Sequence, residues 1–81
     1  PILYAAYMEV VDNQLRDNDP PETRITFDRL KQEGISELDA KKFIGQVIAA
    51  ETFWIMKKKE TFNLNRFIKN LNRLPAEPKE D

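Results

Sequence analysis

Three groups of side chains in this sequence are of types and spacings that could do chemistry. Glu51 stands between Ala50 and Phe53 in the longest apolar-periodic stretch. A carboxyl group taken out of water there has its proton affinity raised and can serve as an acid, with Glu9 as its partner in that reading. Arg66, Lys69 and Arg73 recur at three- and four-residue spacing with Asn65, Asn70 and Asn72 among them, a row that could contact phosphate or another anion. Tyr4, Tyr7, Phe27, Phe43, Phe53, Trp54, Phe62 and Phe67 could line a ligand pocket between helices.

Each group has a plainer reading. Glu51 can be a surface or interface glutamate paired with a lysine, the basic row a solvated helix face, and the aromatic set a core at helical spacing. Tyrosine needs a wet or hydrogen-bonded end, so Tyr4 and Tyr7, with Met8 and Val11 on the same face, mark an expected interface. The chain contains neither cysteine nor histidine. Disulfides, thiolate and imidazole metal sites and the usual general base are therefore absent, and carboxylate-bridged metal bundles lack the Glu-x-x-His pairs that complete them. No catalytic residue, metal ligand or cofactor is assigned, and the expectation turns away from an enzyme.

The elements that position these residues follow from periodicity. With 81 residues, 33% charged and two glycines, the chain has the composition of one small helical domain. Folding of such a domain buries only roughly 60% of the unfolded surface, a shortage that self-association would relieve. Tyr4, Tyr7, Met8, Val11 and Leu15, preceded by Leu3, predict a first helix over 2–17 with Glu9 on its outer side. In DNDPPE, Asp19 is the expected cap of a second helix, with Pro20 at its first position and Glu22 completing a capping-box-like pair. Thr23, Phe27 and Leu30 give that helix a narrow stripe as far as Glu33. Gly34 ends it, and Ile35 folds back on Leu30.

Ser36 is the expected cap of a third helix over 37–59, whose apolar set runs from Ala40 and Phe43 to Phe53, Trp54 and Ile55. Its wide apolar arc places it at the centre, with Gly45, Ala49 and Ala50 allowing a close approach. Asn63 caps a fourth helix, with Phe62 and Phe67 spaced as a hydrophobic staple and Leu64, Phe67, Ile68, Leu71 and Leu74 as its buried face. Pro75 closes it. The fold expected is all-α, a four-helix domain over 1–74 with two long and two short helices, followed by a disordered charged tail over 75–81.

Charge is uneven along the chain. Residues 1–39 hold nine acids against four bases, while 57–73 hold six bases against Glu60 alone. The lysines Lys57 to Lys59 suit the end of a helix dipole. No run approaches the ~20 apolar residues of a membrane span, and the apolar start lacks a basic leader, so a cytoplasmic protein is expected.

Several of these signals, taken together, carry a resemblance. Pro1, the run from Glu9 to Leu15, Pro20, Pro21, Glu22, Arg29, Leu30, Gly34, Ala40 and Ile44 resemble a family of small uncharacterised bacterial helical domains, a domain of unknown function. Members of that family carry a His-x-x-x-His pair on the first helix and another early in the third. Here those places hold Tyr4 and Met8, and Leu38 and Lys42. The resemblance therefore implies the fold and a prokaryotic cytoplasmic origin, and it carries over no metal ligand. The functions left in view are a structural or interaction protein that self-associates as a homodimer, an immunity- or antitoxin-like module that binds another protein, a small-ligand binder, and a nucleic-acid contact through Arg66, Lys69 and Arg73.

Overall fold

The computed structural model describes residues 2–80. Pro1, Asp81 and the side chains of Ile2 and Leu3, the latter expected on the first apolar stripe, lie outside the described residues. Among the described residues there are four helices and no strand: α1 (Ile2–Asp17), α2 (Pro21–Gln32), α3 (Glu37–Lys58) and α4 (Leu64–Arg73). The expected all-α, four-helix fold is the fold observed.

Local chemistry accounts for most helix ends. The Ser36 hydroxyl accepts from the Asp39 amide at 3.1 Å, and the Asn63 side chain accepts from the Arg66 amide at 3.0 Å, so α3 and α4 are capped as expected. Phe62 and Phe67 form the staple over the start of α4, with ring centroids 5.4 Å apart. After α2, Gly34 takes φ +91°, its amide donates to Lys31 O, and the Ile35 amide donates to Leu30 O. These are the two bonds of a Schellman motif.

The start of α2 differs from expectation by one residue. Pro20, at φ −74° and ψ 152°, is the cap and makes no side-chain capping bond, while Pro21 is the first helical residue. The second proline is the cause, because its ring bars helical geometry from the residue before it. Asp19 is thereby removed from the capping position.

α3 is central as expected, packing on α1, α2 and α4; α2 also touches the other three, whereas α1 and α4 do not meet among the described residues. Val11 and Leu15 of α1, Phe27 and Leu30 of α2, Ala40, Ile44, Val47 and Ile48 of α3, and Phe67, Leu71 and Leu74 of α4 form the core. α1 approaches α3 at Gly45, where an added Cβ would lie 3.7 Å from Met8 Sδ and 3.8 Å from Val11 Cγ2. Two residues expected inside are outside: Phe53 is 59% exposed and Leu64 46% exposed. Leu64 sits at the edge of the apolar arc of α4, and Phe53 on the side of α3 turned away from the core.

The segment after α4 also departs from the loose tail expected. Asn70, buried on α4, donates to Lys79 O at 2.8 Å and accepts from the Lys79 amide at 2.8 Å, and Glu80 pairs with Lys58 at 3.4 Å. A primary amide satisfies both backbone groups of one residue at once, which holds 79–80 against the body of the domain.

Candidate functional site

Glu51 is buried, and its partner is Arg66, not a lysine and not Glu9. Burial of Glu51 follows from register: it continues the stripe of Ala40, Ile44, Val47 and Ile48 on α3. Arg66 precedes Phe67 and lies one turn from Asn70, so it points inward from α4 and is 3% exposed. The guanidinium grips the carboxylate with two parallel bonds, Nε to Oε1 at 2.7 Å and a terminal nitrogen to Oε2 at 2.8 Å. The Asn63 amide donates to the same Oε2 at 3.0 Å. The other terminal nitrogen of Arg66 meets Glu60 Oε1 at 2.8 Å, and the Trp54 ring covers the guanidinium with its centroid 5.2 Å away. Glu9 stands exposed on α1.

Electrostatics follows from this geometry. Desolvation is the largest single influence on the Glu51 carboxyl and pushes its pKa up. The bonds from Arg66 and Asn63, with the charges of Arg66 and Lys58, together outweigh it and hold the carboxyl below its ordinary value. Arg66 is raised, first by its bond to Glu51, against desolvation. The expected acid is therefore an ionised structural carboxylate. Among the described residues no buried side-chain polar atom lacks a partner, so the network offers no spare group to a substrate.

The basic row is divided in the same way. Arg66 is enclosed between two carboxylates, which removes it from the expected solvent-facing row. Lys69 is exposed, and Arg73 donates to Asn70 Oδ1 at 3.0 Å. An arginine that the sequence reading left without a role closes the end of α4: Arg29 of α2 donates to Leu74 O and Leu71 O, each at 3.0 Å, and pairs with Glu33 at 2.9 Å.

The expected interface on α1 is also redistributed. Val11 is fully buried within the chain and belongs to the core. Tyr7 and Met8 are half-buried and Tyr4 is 46% exposed; the three line a groove of about 620 Å³ between α1 and α3, floored by Gly45 and Ala49 and edged by Asp39 and Lys42. The groove thus gathers three of the four positions at which the resemblance expects histidine, Tyr4, Met8 and Lys42, while Leu38 stands exposed at the start of α3. Among the described residues no three carboxylates converge in a way that could hold a metal ion. No described helix is long and apolar enough to cross a membrane.

Beyond the groove, the outer side of α3 carries Leu38, Phe53 and Met56, which are 54%, 59% and 73% exposed. Phe53 sits where the apolar arc of α3 was expected to be covered. The signal that could have placed it outside is its alignment with Lys42 and Gln46, which mark the solvent side of the same helix at 3.6-residue periodicity. In comparisons with protein-family models, with curated proteins and with solved structures, nothing matches this chain.

Proposed function

We propose that this chain is a non-enzymatic interaction protein that associates with copies of itself through the shared face of α1 and α3. The observation that carries this reading is the set of large apolar side chains left in water on that face: Tyr4, Leu38, Phe53 and Met56, beside the groove at Gly45 and Ala49. Apolar side chains gathered on one side of a small domain favour covering by another protein surface. The buried ionic network supports the same reading, since its charged groups are consumed in joining α3 to α4. A cytoplasmic bacterial setting belongs to this proposal and rests on the resemblance in sequence.

Sedimentation velocity over a range from low micromolar to millimolar chain tests it. Association that grows with concentration is expected, and a monomer throughout overturns it. The groove favours a second reading, a site for a small ligand with an aromatic body and a polar end, since Tyr4, Tyr7 and Met8 offer apolar walls and Asp39 and Lys42 opposite charges at the rim. A contact with nucleic acid through α4 loses support, because Arg66 is already satisfied by Glu51 and Glu60.

A further inference from the structure

We infer that the occupant of the outer face of α3 is the α3 of a second copy, antiparallel to the first about a two-fold axis beside Gln46 and Ala49; this rests on the self-association proposed above. The residues of the face fall into a centre and two flanks. Lys42, Gln46, Ala49 and Phe53 follow one another at four, three and four residues and form the centre line, the first three of them also lining the groove beside α1. Asp39 and Lys57 are separated by about five whole turns, and so are Leu38 and Met56. Each pair therefore shares a flank, Asp39 and Lys57 on one side of the centre line, Leu38 and Met56 on the other.

A two-fold axis normal to the plane of two antiparallel helices keeps each flank on its own side and sets the start of one helix beside the end of the other. Asp39 then faces Lys57 of the second copy, Leu38 faces Met56, Lys42 faces the Phe53 ring, and Gln46 faces Ala49. Every pairing is complementary in kind: an ion pair, an apolar contact, a cation over an aromatic face, and a polar side chain against a small one. Asp39, Lys42 and Lys57 make no ion pair within the chain among the described residues, and all three are exposed; the Lys57 ammonium lies 5.9 Å from the centroid of the Phe53 ring of its own chain, leaving the other face of that ring to Lys42 of the second copy. The antiparallel arrangement also brings the acidic first turn of α3 to the lysine-bearing last turn of its mate, which the two helix dipoles favour. Parallel pairing would instead exchange the flanks, setting Asp39 beside Leu38 and Lys57 beside Met56 of the second copy with no ion pair between them.

The face is narrow. A helix of this length is about 33 Å long and 10 Å wide, which gives roughly 330 Å² per partner. A stable complex uses about 800 Å² per partner, so the expected dimer is weak, with a dissociation constant in the micromolar range or above.

Sedimentation equilibrium of the full chain and four variants tests the arrangement. Phe53→Glu is expected to weaken the dimer at least tenfold, and Asp39→Lys or Lys57→Glu alone about tenfold, because symmetry makes each reversal count twice. The double variant Asp39→Lys with Lys57→Glu restores opposite charges across the interface and is expected to return to within about twofold of the parent. A dimer that persists in Phe53→Glu, or a double variant as weak as the product of its singles, overturns the α3 pairing while leaving self-association standing. A parent chain monomeric at millimolar concentration overturns both. All the altered side chains are exposed, and far-ultraviolet circular dichroism of each variant checks that the helices remain.

Discussion

Arg66 and Glu51 join α4 to α3 through a salt bridge buried at both ends, and such a pair is costly to break singly. Glu51→Gln leaves the guanidinium with Glu60 alone, and the expected loss is about 3 kcal/mol, read as a lower urea midpoint at neutral pH. Replacing both partners, Glu51→Leu with Arg66→Met, should cost less than the sum of the two single changes, since no charge is then left buried without its mate. The same pair sets an acid limit. The folded-state carboxyl of Glu51 titrates below its unfolded counterpart, so the unfolded chain takes up this proton first as pH falls. Its contribution is whole above about pH 4.3 and is lost as pH drops through the lower folded-state value. Urea midpoints measured from pH 6 down to pH 3 should therefore fall more steeply for the parent than for Glu51→Gln. Equal slopes would show that this carboxylate does not govern acid sensitivity.

Helices stop and start here by rules of different reach, and the difference can be tested at one position inside α3 and one just past its end. Gly45 sits inside α3 with ordinary contact distances around an added Cβ, so Gly45→Ala should gain helix propensity without a clash and stabilise the domain by up to about 1 kcal/mol in a urea melt. Lys59 ends α3 at φ +53°, a left-handed geometry that an L side chain adopts at a cost, so Lys59→Gly should stabilise by about 1 kcal/mol. Capping and termination were legible in the sequence wherever one helix end decides them, as at Ser36, Gly34 and Asn63. The cap of α2 was misread by one residue because the restriction that Pro21 places on Pro20 outranks the capping preference of Asp19. What joins one helix to another was less legible. A lone acid on the inward stripe of α3 called for a base on some facing stripe, yet Arg66 also fits an outward row with Lys69 and Arg73. Only the packing of α4 onto α3 decides between those faces. Arg29 was hidden for the same reason, since the carbonyls it caps are more than forty residues away.

Among the described residues α2 and α3 each touch three helices, while α1 and α4 do not meet. The chain's last described residues close over α4 and the end of α3. Asn70 is the link: its buried amide makes two bonds to the Lys79 backbone, and Arg73 shares its oxygen. The geometry resembles a single rung of a sheet, with a side-chain amide in place of the second strand. A backbone group held this way is shielded from exchange only while the clamp is closed, and the rest of α4 need not open with it. Asn70→Ala removes both bonds and leaves the Lys79 amide to water. Amide hydrogen exchange at Lys79 should then quicken by about tenfold or more, matching the loss of roughly 1 to 1.5 kcal/mol of hydrogen bonding. Exchange at Ile44 and Val47 in the core of α3 should change far less, because their protection depends on packing that Asn70 only borders. Unchanged exchange at Lys79 would mean that the clamp is not what holds this end of the chain, and that the Lys58–Glu80 pair holds it instead.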